Sequence, residues 1–282
     1  MRNYVLAYHS HRVLGNDYRD NDHVALAVDL QVIHDTGGTI VALDRIVDGI
    51  VDPHGESGQV ESTPQVALTF DDGPIYDAAD FEHPDFGPQR GFLNILRDFA
   101  RANARQARSH VHATSFVIAS PDARRCMETT YDSTHSYVGS GALTDDWWVP
   151  AIETGLLSVA NHSFDHLHPG LPRVAHSAQA RGDFAKVQSV EDADAQIADA
   201  SAYIRHRTGE LSAPFFAYPF GQYNAFLVHD YLPAHARRIG LRAAFTTDAA
   251  PITGTENVWC LPRYVCGHHW KSPAELRAIL LS

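Results

Sequence analysis

The sequence predicts an α/β protein in which about seven parallel strands and their helices form an irregular, TIM-barrel-like (β/α) barrel. Segments with strand character and segments with helix character alternate along the whole chain, the pattern that gives a parallel sheet. The 282 residues match the length of one such barrel, and no linker, repeat or low-complexity tract divides them. We therefore expect residues 1–282 to form a single domain.

The first half of the chain predicts three strands with helices between them. Short apolar runs of strand length occupy Tyr4–Tyr8, Thr39–Leu43 and Val66–Phe70. Between the first two runs, residues 21–38 predict a helix that an Asn-Asp pair opens and a Gly-Gly pair ends. Residues 92–99 repeat apolar side chains at i, i+3, i+4 and i+7, which is one face of a helix.

The second half continues the alternation. Strands are predicted at residues 113–118, 156–160, 214–218, 242–246 and 258–261. Helices are predicted at residues 191–205, with Ser189 as the N-cap, and at 230–239 and 273–281. Loops longer than a dozen residues often border functional sites, and the stretches that look irregular are residues 52–64, 76–90 and 169–186.

The charge of the chain argues against nucleic acid and anionic membrane surfaces as partners. The net charge is −12, the pI is about 5.8, and no basic cluster is present. The first residues hold only a short apolar run, and no later run approaches the roughly 18 residues that a membrane span needs. We therefore expect a cytoplasmic protein. The three cysteines have no CxxC spacing, which favours unpaired thiols.

The first candidate site motif is Leu-Thr-Phe-Asp-Asp-Gly-Pro, which begins at Leu68. An apolar strand runs directly into Asp71 and Asp72, and the carboxyl ends of parallel strands are where active sites form in α/β barrels. Two adjacent carboxylates repel each other, so their burial requires a cation or a raised pKa. Gly73-Pro74 forces a sharp exit from the strand. Taken alone, the same residues also suit a turn that merely caps the strand.

The second candidate motif is Asn-His-Ser-Phe-Asp-His-Leu-His-Pro, which begins at Asn161 after another apolar strand. His162 and His166 are four residues apart, so one helical turn would point both imidazoles the same way. Two imidazoles, a carboxylate and an open position form a catalytic zinc site. The same ligand set accepts Co²⁺, Ni²⁺ or Fe²⁺, so one divalent ion is expected, with Zn²⁺ favoured. A histidine-rich surface loop is the alternative for this motif alone.

Together, Thr-Phe-Asp-Asp-Gly-Pro and His-Ser-x-x-His resemble the first two motifs of the NodB-type polysaccharide deacetylases, carbohydrate esterase family 4. The segment Phe216–Gly221 is similar to the third motif of that family, Arg-x-Pro-Tyr-Gly. The Tyr8-His9 strand end resembles the poly-N-acetylglucosamine deacetylase branch. The resemblance runs from Tyr4 to Tyr264 and implies an irregular (β/α) barrel and a metal-dependent amide deacetylase.

The resemblance also implies roles for individual residues. Asp71 corresponds to the general base that acts on the water activated by the metal. The metal ligands implied are Asp72, His162 and His166. The substrate-binding residues implied are Tyr218, Pro219 and Phe220, the last through a backbone N–H that holds the oxyanion.

Two positions depart from the family pattern. Ala217 stands where the motif arginine would brace the base, and Arg263 offers a replacement, although an ordinary loop arginine is the favoured interpretation. The family takes its general acid from a histidine near the C-terminus. His268 is the choice by chain order, with His269 and His9 as alternatives.

The leading function is removal of acetyl groups from N-acetylated sugars or glycans. A second hypothesis keeps the metal and replaces the substrate with a small linear or cyclic amide. A third is a non-catalytic member that binds carbohydrate, which the missing motif arginine favours. The expected partner is an N-acetylated carbohydrate or a small amide, and the sequence leaves the oligomeric state open.

Overall fold

The computed structural model describes residues 2–52, 63–103, 111–130 and 136–282. Within these ranges the strands are β1 Tyr4–Tyr8, β2 Thr39–Val41, β3 Gln65–Phe70, β4 Phe81–His83, β5 Gly87–Gln89, β6 Ala113–Val117, β7 Leu157–Asn161, β8 Phe215–Ala217, β9 Ala243–Phe245 and β10 Tyr264–Val265. The α-helices are α1 Asp22–Asp35, α2 Leu43–Val51, α3 Phe92–Ala102, α4 Pro121–Thr130, α5 Trp148–Ile152, α6 Val190–Ala193, α7 Asp199–Thr208, α8 Leu232–Ile239 and α9 Pro273–Leu280.

One parallel sheet carries the fold. Its strand order is β10-β1-β3-β6-β7-β8-β9, and β2 also pairs with β3. From β1 to β9, helices lie between the successive strands of this sheet, the connection that parallel strands require, whereas the link from β9 to β10 contains no helix. The predicted (β/α) barrel of about seven parallel strands is therefore confirmed.

The segment from Leu261 to Val265 connects the two ends of the sheet. Leu261 forms a parallel bridge with Phe245 of β9, and Tyr264 pairs with Leu6 of β1. The predicted strand at residues 258–261 is wrong: only Leu261 bridges to β9, and the strand is β10, three residues later. Because this segment touches both edge strands, the residues between its two contacts lie where the sheet curls onto itself.

Side chains alternate between two sides of the sheet, as the strand period of two requires. In β1, Tyr4, Leu6 and Tyr8 belong to the apolar cluster that includes residues of α1, α3 and α9. Val5 instead belongs to a cluster made mostly of residues from the strands themselves, with Ala67, Phe116, Ala160, Ala217 and Phe245. The second cluster marks the barrel interior, so residues in phase with Ala67 and Ala160 point inward.

Most predicted helices are confirmed, with one interruption. The Asn21 side chain caps α1 by accepting from His23 N and Val24 N, and α9 occupies the predicted C-terminal position. The predicted helix at 191–205 begins at the expected Ser189 cap, but a π-helical segment, Asp194–Ala198, separates α6 from α7. Within the described ranges, no helix combines the length and apolar character needed to cross a membrane.

The three stretches that look irregular in the sequence differ in the structure. Residues 76–90 contain the antiparallel hairpin of β4 and β5. Residues 169–186 contain single helical turns at Ala178–Ala180 and Phe184–Lys186. Most of residues 52–64 lies outside the described residues. The carboxyl ends of β1, β3, β7 and β8 share one edge of the barrel, and the predicted motifs follow three of them.

Candidate metal centre

A tight turn after β3 points the side chains of the adjacent residues Asp71 and Asp72 in different directions. Asp71 still belongs to the ladder, because its N–H donates to Tyr8 O at 3.1 Å. Asp72 and Gly73 then adopt left-handed backbone conformations, with φ of 72° and 66°. A Cβ on Gly73 would lie 2.5 Å from Val117 Cγ1, so only glycine fits there. Asp71 is in phase with Ala67 and points into the barrel, whereas the turn sends Asp72 elsewhere.

The histidine motif after β7 is a loop, and the predicted helical turn is wrong. Ser163, His166 and Leu167 have positive φ values of 71°, 61° and 44°. The Ser163 hydroxyl accepts from His166 N at 2.9 Å, and Asp165 Oδ1 accepts from Leu167 N at 2.9 Å. Short polar side chains thus bind the backbone N–H groups, which favours a turn over a helix. Left-handed non-glycine residues store strain, and such strain concentrates at functional sites.

The loop nevertheless brings both histidines to Asp72. One ligand atom each from Asp72, His162 and His166 lie within 4.8 Å of one another, and all three residues are buried. Asp72 Oδ1 lies 3.6 Å from His162 Nε2 and 3.4 Å from His166 Nε2. His162 Nδ1 is 2.9 Å from Ala217 O, which can only accept, so this nitrogen carries the proton and Nε2 presents its lone pair.

The chemistry of these donors fits a divalent cation. Asp72 Oδ1 is buried, and among the described residues no donor forms a hydrogen bond with it. Tetrahedral coordination with bonds of about 2.1 Å separates ligand atoms by about 3.4 Å, close to the observed separations. Burial lowers the pKa of His166 to about 3, so its imidazole is neutral, as a metal ligand must be. A cation at this point would satisfy an oxygen that the protein itself leaves unpaired.

Asp71 is held by an arginine rather than by the histidines. Arg263 is fully buried and donates from both terminal nitrogens to the two oxygens of Asp71, at 2.7 and 2.8 Å. Arg263 Nε also donates to Thr246 O at 3.0 Å. Burial alone would raise the pKa of Asp71, but the Arg263 guanidinium lowers it below its ordinary value. Interpreting Arg263 as an ordinary loop arginine is therefore wrong.

Position 217, where the family motif has an arginine, contributes to the site through its backbone. Ala217 ends β8, and its carbonyl orients His162. The guanidinium instead comes from the segment that joins β9 to β1, across the barrel interior. Asp71 is thus bound through both of its oxygens by an arginine from another part of the chain.

A comparison with known proteins identifies the family. The family model for polysaccharide deacetylases matches residues 58–243, about two thirds of the 282 residues. The chain belongs to the polysaccharide deacetylase family. Its activity is therefore that of a hydrolytic amide deacetylase acting on N-acetylated glycans, and a metal-dependent mechanism fits that family. A search of proteins of curated function found no match.

Solved structures share the fold of this polysaccharide deacetylase. The Streptococcus pyogenes deacetylase PplD, solved in complex with acetate, is 16% identical with a TM-score of 0.62, and the match covers 99% of this chain and 98% of that one. IcaB from Ammonifex degensii is 17% identical with a TM-score of 0.62 and the same coverage. The BpsB deacetylase domain from Bordetella bronchiseptica is 16% identical with a TM-score of 0.58, covering 94% and 96%.

The three histidines considered as the acid of this deacetylase occupy different surroundings. His9 follows β1 and is half-buried, and its backbone N–H donates to Asp22 Oδ2 at 2.8 Å. Burial lowers the pKa of His9, while the charges of Asp71 and Asp72 oppose that shift. His268 is exposed, with its ring centroid 4.5 Å from that of His269.

The residues predicted to bind substrate differ in exposure. Tyr218 and Pro219 are buried, and the Tyr218 hydroxyl donates to Trp259 O at 2.8 Å. Phe220 has a positive φ of 57°, and its side chain is 44% exposed. Its ring centroid lies 4.4 Å from that of His166, in an edge-to-face arrangement. Phe220 therefore forms part of the accessible surface directly beside a candidate metal ligand.

Sequence reasoning missed His11 entirely. Its Nε2 lies 2.8 Å from Asp72 Oδ2, the carboxylate oxygen that does not face His162 and His166. Burial would raise the pKa of Asp72, but the hydrogen bond from His11 holds it well below its ordinary range. The available signal was a second histidine two residues after His9, at the same strand end. This spacing does not predict which residue His11 contacts, because Asp72 is 61 residues away in the chain.

Proposed function

We propose that this chain uses one divalent metal ion, held by Asp72, His162 and His166, to remove acetyl groups from an N-acetylated glycan. The observation that carries the proposal is a buried, unpaired Asp72 oxygen facing two imidazoles, beside an Asp71 that Arg263 holds ionised. A metal-ligand cluster and an ionised carboxylate side by side are the groups that hydrolysis of an amide by activated water requires.

When bound, the cation lowers the pKa of a coordinated water and polarises the amide carbonyl. Asp71 accepts the proton of the attacking water, and its low pKa keeps it ionised for that task at neutral pH. Arg263 fixes both oxygens of Asp71 and thereby the direction in which they accept. The backbone N–H of Phe220 is proposed to donate to the oxyanion that forms on the carbonyl oxygen.

The leaving nitrogen needs a proton, and we propose His9 as its donor. His9 lies near both Asp71 and Asp72, and its ring centroid is 5.5 Å from that of His11. His268 is the alternative by chain order, and His269 is less suited because its Nδ1 accepts from Val265 N at 2.7 Å. Hydrolysis balances over one turnover: Asp71 takes a proton from the attacking water, His9 gives a proton to the leaving amine, and passage of a proton from Asp71 to His9 returns both groups to their starting state.

Zn²⁺ is the ion we propose, because two neutral imidazoles and one carboxylate form a common catalytic zinc set. Co²⁺, Ni²⁺ and Fe²⁺ suit the same donors, so metal analysis of protein purified without added metal is the direct test. The non-catalytic hypothesis loses its main argument, since Arg263 braces the base despite Ala217.

The substrate proposal is tested by measuring acetate release from N-acetylglucosamine oligomers and from a panel of small linear and cyclic amides. We expect turnover of the oligomers that a chelator such as dipicolinate abolishes and added metal restores. Turnover of small amides alone would replace the glycan with the second substrate class. Acetate release that survives complete removal of metal would contradict the mechanism.

A further inference from the structure

The two oxygens of Asp72 have different partners. Oδ1 faces the imidazoles of His162 and His166 without a hydrogen bond, at 3.6 and 3.4 Å. Oδ2 lies 2.8 Å from Nε2 of His11, whose side chain is 11% exposed. An ionised carboxylate only accepts hydrogen bonds, so Nε2 of His11 carries the proton and donates it to Oδ2.

We propose that His11 is a positioning residue that restricts Asp72 to a single metal-binding oxygen, Oδ1. The proposal rests on the proposed function, which assigns the metal to Asp72. With Oδ2 engaged by a donor, the carboxylate offers only Oδ1 to the cation. A single carboxylate oxygen and two imidazoles occupy three positions, which leaves room for water and substrate in a four- or five-coordinate site. Partners that orient ligands in this way contribute about 10–100-fold to metal affinity.

The backbone around His11 is held by hydrogen bonds to residues other than the candidate metal ligands. The Ser10 hydroxyl donates to Asp77 Oδ1 at 2.5 Å, and Ser10 O lies 2.7 Å from His23 Nε2. On the other side, His11 O accepts from Tyr137 N at 2.7 Å. Because these hydrogen bonds hold the turn in place, the His11 side chain loses little conformational freedom when it orients Asp72. A preorganised metal ligand requires this.

The geometry separates an orienting role from direct coordination. The contact of His11 is with Oδ2, and the group of ligand atoms that lie together comprises Asp72, His162 and His166 alone among the described residues. As a ligand, His11 would be the third imidazole and the fourth protein ligand, and it would fill the position that catalysis needs open. Orientation is therefore the assignment that the contacts favour.

The test compares metal affinities of metal-free proteins, measured by Zn²⁺ titration in competition with a chelating dye. His11→Ala is expected to raise the Kd for Zn²⁺ by about 10–100-fold. His11→Gln keeps an N–H donor and is expected to recover part of that loss. His229→Ala removes an exposed histidine far along the chain and serves as the matched control, with an unchanged Kd expected. Thermal melts show that each variant is folded.

Cobalt absorption distinguishes the two ways in which His11 can act. We expect Co²⁺-loaded His11→Gln to keep the shape and intensity of the wild-type visible bands, whereas His162→Ala changes them. Equal Kd values for His11→Ala, His11→Gln and the wild type, with binding lost in Asp72→Ala, would overturn the role of His11 and leave the metal site intact. Bands that change in His11→Gln as they do in His162→Ala would make His11 a ligand and also overturn it. Binding that survives in Asp72→Ala would instead refute the proposed function.

Discussion

Asp71 and Asp72 are neighbours in the chain but differ in every contact that defines their chemistry. Asp71 points into the barrel, where both of its oxygens are bound by Arg263. Asp72 leaves through a left-handed turn and meets three imidazoles: His11 donates to Oδ2, whereas His162 and His166 face Oδ1 without a hydrogen bond. Both carboxylates are buried with lowered pKa values, so burial and charge alone do not distinguish them. Their partners distinguish them: a guanidinium binds Asp71, the proposed base, whereas imidazoles surround Asp72, the proposed metal ligand.

The largest expected effect follows removal of the Arg263 guanidinium, which binds both oxygens of Asp71. Arg263→Met leaves a buried carboxylate without its partner, which destabilises a protein by about 3–5 kcal/mol. The folded pKa of Asp71 is depressed, so its stabilising contribution is complete above its unfolded pKa and is lost as pH falls through the folded value. Chemical unfolding of Arg263→Met should therefore show a loss of unfolding free energy, relative to the wild type, that is largest near neutral pH and shrinks on acidification.

Arg263→Lys provides the matched control for that prediction. It keeps the positive charge but not the bidentate geometry, so it should recover part of the stability and less of the turnover. A loss of unfolding free energy in Arg263→Met that does not vary with pH would mean that the lost packing, and not the lost ion pair, destabilises the variant.

A smaller effect is expected at His9, the proposed general acid. His9→Ala should lower kcat by about 100–10,000-fold with metal content unchanged, because the amine leaves without its proton. The exposed His268→Ala is the comparison variant and should retain wild-type kcat. Steady-state kinetics of the two variants decides the assignment, and the reverse ranking would return the acid to His268.

The smallest effect concerns the turn that separates the two carboxylates. Gly73→Ala introduces a Cβ 2.5 Å from Val117 into a left-handed backbone, and we expect a loss of about 2–4 kcal/mol of unfolding free energy. Gly155→Ala has a similar φ of 71° with no atom within 4 Å, so it should lose only about 1 kcal/mol. Equal losses in the two variants would show that the close approach to Val117 is unimportant.

The parts of the site that lie at strand ends were predictable from sequence. Short apolar runs of strand length predict β3 and β7, and the motif residues that follow them reach the same edge of a parallel sheet. The partners of those residues were not predictable. Arg263 contacts Asp71 across 192 residues and His11 contacts Asp72 across 61. The first contact needs the segment between β9 and β1 to cross the barrel, and the second needs β1 to pair with β3. Four-residue spacing wrongly suggested a helix for His162 and His166, because Ser163 and Asp165 bind the local backbone instead.

Metal content and turnover of two isosteric variants test the division between the aspartates most directly. Asp71→Asn should bind metal at the wild-type ratio while acetate release falls by about 100–10,000-fold. Asp72→Asn should lose both the metal and the activity, because its Oδ1 is the oxygen that faces the imidazoles. Metal lost from Asp71→Asn, or retained by Asp72→Asn, would contradict the account of how neighbouring carboxylates share this site.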